Sequence, residues 1–355
     1  MSTPSSDTRR RGVIPPCRGA SWSSSNADSL DSQQTSTSDQ LVGSGSYRDI
    51  NLRSANIFIH ELEPEHWPLE IHTFVDHLFA VEKVHVGTPT AEALVMPDTL
   101  KDTCVALAHQ ASRKNLEQEI AWMDFHKLIL GLFNHENISW RQGRRFDVQV
   151  GPSSDTDQKL STPVPDLIFG LAVSVTQDVI LSQAPTLSNR LLAHLVSLCG
   201  IQSFPTQDRR DVAYPCVIFE AESDAGSLLA AENKAALAAA QALSMLETLK
   251  IVAQASYRLP AIVICTQGSI YEVFVAFDLR ADDIAPNATS RKDSGPAYPL
   301  QFGVHLVQIW LGDLRRAEAM YQFQRLWYNV TQWILNTWRP TIIGMLDAVK
   351  ATIPD

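Results

Sequence analysis

The stretch from 214 to 267 leaves this chain the least freedom. It reads YPCVIFEAE (214–222), then LLAAENKAALAAAQALSMLETLKIV (228–252), then AIVICTQ (261–267). The two outer runs are short, apolar and rich in β-branched and aromatic residues, which predicts buried strands. The middle run is made of strong helix formers, and nothing inside it breaks a helix. A strand, a long helix and a second strand predict a crossover unit, with the helix lying on a sheet.

The flanking sequence extends that sheet. IYEVFVAFDL (270–279) follows a tight turn at Gly268-Ser269 and predicts a strand pair. FDVQV (146–150), DLIFGLAV (166–173) and YPLQFGVHLVQIWL (298–311) have strand texture as well. Helical spacing of Ile71, Phe74, Val75, Leu78 and Phe79 predicts a helix over 68–81. A second helix is expected from 102 to 133 with a break, and a terminal amphipathic helix from 314 to 338, stopping at Pro340. The expected fold class is α/β, a mixed central sheet flanked by helices with helical additions at both ends. Residues 1–50 are rich in Ser, Thr, Asp, Gln and Gly and predict a disordered tail, leaving one domain over 51–355.

Composition narrows the setting. A hydrophobic share of 45% and a charged share of 19% are those of an ordinary globular protein. No run nears the roughly 18 uninterrupted apolar residues of a membrane span. The N-terminus is polar, so the expected location is intracellular, nuclear or cytoplasmic, with no membrane partner. Arg9, Arg10 and Arg11 read as a solvated charge cluster or a short import signal. Five scattered cysteines without CxxC spacing predict reduced thiols. A net charge of −10 argues against a broad nucleic-acid-coating surface but not against a local site. Arg141, Arg144 and Arg145, Arg209 and Arg210, and Arg315 and Arg316 form short basic clusters, each a solvated edge or a phosphate track. Neither a GxSxG elbow nor a GxxxxGK[ST] loop occurs. The aromatics between Trp310 and Trp338 predict core packing rather than base stacking.

Four polar positions carry candidate chemistry. Asp166 opens an apolar strand; Glu220 and Glu222 end another; Lys234 lies in the following helix. Residues i and i+2 of a strand share a face, so Glu220 and Glu222 project together. Such a pair is costly to desolvate unless a cation joins it, and Mg²⁺ or Mn²⁺ favours carboxylate oxygens. With Asp166 alongside, the site would activate water for phosphodiester attack. The other reading keeps Glu222 solvated past the strand end and only Glu220 buried. His126, seven residues after Glu119, lies either near the site or in the core.

The segments TPVPDLIFGL (162–171) and YPCVIFEAESDAGSLLAAENKAALAAAQAL (214–243) resemble the PD-(D/E)XK nuclease superfamily, in particular the nuclease-like proteins of filamentous fungi. NLEQEIAWMDFHKLIL (115–130) resembles the first core helix of that family and LRSANIFIHELEPEHWPLEI (52–71) its helical preface. The resemblance implies a restriction-endonuclease-like core, a nucleic-acid substrate, and a metal held by Asp166 and Glu220 with Glu119 assisting. The motif lysine should stand where this chain has Glu222. Either the lysine has moved to Lys234 on the next helix, or catalysis is lost, Glu222 and Lys234 form an ordinary salt bridge or two separate surface charges, and the domain is a binding or accessory module. Protein partners and oligomeric state stay open.

Overall fold

The computed structural model describes residues 42–80, 99–113, 119–147, 160–175, 184–206, 210–283 and 301–352. At its centre run three strands buried almost end to end: β4 (Val212–Glu222), β5 (Ala261–Gln267) and β6 (Ile270–Leu279). Strands covered on both faces need apolar side chains in both directions, so these runs are continuous and not alternating. Outside them lie β1 (Ile57–Ile59), β2 (Ile138–Gln142), β3 (Leu167–Ala172) and β7 (Gly303–Asp313). The seven strands form one mixed sheet in the order β1-β7-β6-β5-β4-β3-β2. β4 runs parallel to β5 and β1 parallel to β7, while the other pairs are antiparallel.

Helices flank the sheet: α1 (Leu69–Phe79), α2 (Leu100–Arg113), α3 (Glu119–Leu130), α4 (Asn189–Cys199), α5 (Leu228–Ala253), α6 (Ala317–Trp333) and α7 (Arg339–Lys350). One hydrophobic cluster joins α2, α3, α4 and α6 to side chains such as Val217, Phe219, Ile264 and Tyr271. A second packs the alanines of α5 onto Ile218, Val263, Cys265 and Phe274. By length and composition α5 is apolar enough to cross a membrane, yet 72% of its most apolar window is buried inside the fold.

The structure corrects the expected elements in four places. Phe146 and Asp147 belong to no strand; their N–H groups donate to Pro163 and Pro205 carbonyls, and 148–150 lie outside the described residues. Pro340 does not end the terminal helix. It sits in the first turn of α7, directly after a π-helical stretch at Ile334–Trp338 in which the helix widens ahead of the proline. The expected preface contains β1 instead of continuous helix. The domain's N-terminal margin also falls before residue 51, because Tyr47 is buried and the Val42 carbonyl accepts from Asn233 Nδ2 at 2.7 Å. The run Arg9–Arg11 lies outside the described residues.

Pro215 in a central strand removes a ladder donor, and the chain accommodates it with a bulge. Phe169 pairs with Val217 and Leu171 with Ala213, so Gly170 faces the three residues 214–216. Tyr214 takes a left-handed φ of 46°, its N–H donating to Ser203 O and its hydroxyl meeting Ser203 Oγ. A methyl group on Gly170 would lie 2.6 Å from the Ala213 carbonyl oxygen and 3.1 Å from Pro215 Cα. Gly170→Ala is therefore expected to destabilise the fold by about 1–3 kcal/mol, read as a fall in the denaturant midpoint at constant slope. An unchanged midpoint would refute the tight bulge.

His305 on β7 yields a second expectation. Its ring stacks on Phe58 and Phe277, Nε2 donates to the Gln301 carbonyl at 2.8 Å, and Nδ1 is buried without a hydrogen-bond partner among the described residues. Burial holds its pKa below the ordinary 6.5, against the Gln301 bond and the Asp278 charge. The unfolded chain thus takes up this proton first as pH falls. The contribution of His305 is intact above about 6.5 and is lost below it. Thermal melts from pH 7.5 to 5.5 should show a steeper loss of Tm in the wild type than in His305→Gln; parallel curves would refute it.

Candidate functional site

The parallel strands β4 and β5 end together at Glu222 and Gln267, and open α/β sheets offer a site beyond such carboxyl ends. β3 runs antiparallel to β4 with Leu167 opposite Phe219, so continuing the register sets Asp166 beside Glu220. The Ala221 N–H donates to Asp166 Oδ2 at 2.8 Å and fixes that carboxylate against the strand. Glu220 is 4% exposed, and its Oε1 meets no hydrogen-bond partner among the described residues. Burial first, then the charge of Asp166, raises the Glu220 pKa well above the ordinary range; Lys234 opposes and Glu222 adds. A hydrogen bond to Asp166 further favours the proton on Glu220.

Lys234 comes from the second turn of α5. Its Nζ lies 3.1 Å from Glu222 Oε1, with the two side chains 30% and 22% exposed. An ion pair this open contributes at most about 1 kcal/mol, so its interest lies in where it holds the ammonium. The loop between β4 and α5 is tied to the β5–β6 turn: Gln267 Nε2 donates to the Gly226 carbonyl at 2.8 Å and the Gly268 N–H to the Glu222 carbonyl at 2.9 Å. Gly226 leaves room for the acid, since a methyl group there would stand 2.7 Å from Glu222 Oε2.

Asp166, Glu220, Glu222 and Lys234 are thus brought to one corner of the sheet. Glu222 is the last residue of β4, part-exposed where Glu220 is buried, and it pairs with Lys234. Glu119 opens α3, but its side chain lies outside the described residues. His126 is both a core and a site-side residue. It is fully buried with Nδ1 against the Tyr271 hydroxyl, and with Trp122 and Met123 it lines a small recess closed by Ala221, Glu222 and Ser223. The basic clusters are largely engaged: Arg141 and Arg144 reach Asp211, Arg145 reaches Asp147 at 3.4 Å, and Arg315 reaches Asp313 at 2.8 Å. The aromatics of α6 pack inward, with Trp327 donating to the Leu130 carbonyl and Phe323 against Tyr271.

Beside this corner lies a set of polar residues that the sequence reading passed over. Glu220 pairs with Cys265 and Cys265 with Glu272, so an acid, a thiol and a second acid cross three strands in register. The Cys265 thiol is held well above its ordinary value by burial, then by Glu232, Glu220 and Glu272. Burial and the neighbouring Glu232 push Glu272 up to about 7. Burial also acts on Glu232, but His60 and Arg48 outweigh it and bring that carboxyl below its usual value. One signal was available: Glu272 interrupts an apolar strand at a position in phase with Phe274.

No protein-family model matches the sequence, and neither does any curated protein.

Glu220 is the most strained member of the corner, a desolvated carboxyl pressed against another. Its amide isostere removes the charge and retains the shape. Glu220→Gln is expected to raise stability at pH 7.5 by on the order of 1 kcal/mol, measured as Tm. A lower Tm would mean that the carboxylate is already compensated.

Proposed function

We propose that this chain is a metal-dependent phosphodiester hydrolase with a restriction-endonuclease-like core, acting on DNA or RNA. The observation that carries the reading is the approach of the Lys234 ammonium to Glu222, on the strand that carries Glu220 beside Asp166. A lysine supplied from the helix meets the position where the motif lysine would stand. The same contact would remain as an ordinary ion pair if catalysis were lost, so cleavage by the folded protein decides between displacement and loss.

The donor set fits a hard divalent ion. Asp166 and Glu220 offer oxygen ligands, and Glu220 Oε1, buried and without a hydrogen-bond donor among the described residues, is the kind of atom that a cation satisfies. Bound there, Mg²⁺ or Mn²⁺ would supply a water acidic enough to attack phosphorus and would polarise the phosphoryl oxygens. The Ala221 N–H keeps Asp166 oriented for that role. Glu222 holds the Lys234 ammonium in place, from where it would steady the attacking water and the negative charge that develops on the phosphate. The recess beside Trp122 and Ser223 is small, so the substrate backbone would lie across the corner and not within it.

A second reading has its own support. Lys234 is already matched by a carboxylate and Glu220 favours its proton, which suits a nuclease-like domain that binds without cutting. A titration of Mg²⁺ and Mn²⁺ against labelled single- and double-stranded DNA and RNA separates the two. Metal-dependent cleavage is expected, reduced by roughly 10²–10³-fold in Asp166→Ala, Glu220→Ala and Lys234→Ala. Cleavage retained in Lys234→Ala alone would remove the displaced lysine. None from folded wild type on any substrate would leave the binding module.

A further inference from the structure

A second polar cluster lies on the same side of the sheet, one strand beyond Cys265, and it joins three remote parts of the chain. His60 follows β1, Glu232 lies in the first turns of α5, and Glu272 is the third residue of β6. One ligand atom from each falls within 4.8 Å of the others. His60 Nε2 stands 3.6 Å from Glu232 Oε2.

Three features set this apart from an ordinary acidic cluster. First, Glu272 is only 7% exposed; Oε1 accepts from Gln308 Nε2 at 2.9 Å, and the buried Oε2 has no N–H or O–H donor among the described residues, its carboxyl group being left to share a proton with Glu232. Second, Arg48 fixes Glu232, its guanidinium on the same Oε2 that faces His60 and its Nε donating to Asn233 Oδ1 at 3.0 Å. An arginine in that place orients a ligating carboxylate as outer partners of metal sites do. Third, His60 takes a left-handed φ of 60°, held by its N–H on the Leu306 carbonyl, with its ring edge-on to Phe274 at 5.1 Å. Its side chain is 38% exposed and opens a path to solvent.

We infer that His60, Glu232 and Glu272 form a binding site for a borderline divalent transition-metal ion of the Zn²⁺ class, with Arg48 as the outer partner that positions Glu232. One imidazole and two carboxylates are a donor set suited to such an ion, and solvent at the His60 side supplies the remaining ligand. Glu272 stands two strands from Glu220, about 10 Å at ordinary strand spacing. That is too far for two metals acting on one phosphate, which stand roughly 4 Å apart. The ion would be structural, fastening the N-terminal segment to α5 and to the sheet. The inference does not rest on the proposed hydrolase, because its readout is metal uptake.

The test uses the full chain without an affinity tag at pH 7.5, dialysed against trace Zn²⁺ and assayed by elemental analysis and by Tm with and without added Zn²⁺. One tightly held zinc per chain and a rise in Tm are expected. His60→Ala and Glu272→Gln should each weaken zinc binding at least tenfold while remaining folded, and Cys199→Ser and Asp166→Asn should retain it. The site is overturned if the wild type takes up no zinc, or if His60→Ala and Glu272→Gln bind it as the wild type does. It is equally overturned if Asp166→Asn loses the zinc and Glu272→Gln does not.

Discussion

A helix faced with alanine lies closer to a sheet than one faced with leucine, and the rest of this molecule is arranged around that closeness. Along α5 most of the sheet-side residues are alanines with no exposed surface. Anything polar between this helix and β4, β5 and β6 is therefore stripped of water. Acids in that layer stay only where something offsets their charge. Glu220 does so with a proton favoured beside Asp166 and Glu232 with Arg48, while Glu222 and Lys234 meet at the open edge of the layer. Close packing thus turns ordinary carboxylates into chemically unusual ones, and it places them together at the N-terminal turns of one helix.

Much of the fold was legible because its strongest signals are local. β5 and β6 fall on 261–267 and 270–279 as read, and α5 differs by one residue at its end. β1 was invisible for the opposite reason. Three residues carry no periodicity, and their partners at 304–306 lie about 250 positions away. β2 was missed because ISWRQ is half-buried and ends in charge and amide, which weakens its apolar pattern. Pro340 misled because the same residue that ends a helix also begins one.

The candidate corner divides in the same way. Glu220 and Glu222 could be placed on one face from strand period alone, and the apolar start of β3 marked Asp166. Whether Lys234 reached Glu222 depended on the angle at which α5 leaves its loop, which no local pattern encodes. Arg48 and His60 were wholly hidden. Arg48 lies in what reads as a polar tail, and its carboxylate partner stands 184 residues away. The bulge at Gly170 and Pro215 falls between these cases: a proline inside an apolar strand announces an irregularity but not its form.

The row that runs Glu220, Cys265, Glu272 has one more consequence. The thiol between the two acids stays protonated, so it screens neither from the other, and helix and sheet keep water out of the gap. At about 10 Å and an effective dielectric near 20, two unit charges exchange roughly 1.7 kcal/mol. An energy of that size applies only where both acids are ionised, and each is governed first by burial and then by its nearer neighbour, Glu220 by Asp166 and Glu272 by Glu232. The two ends of the row are therefore separate groups, spaced apart by nothing more than strand register.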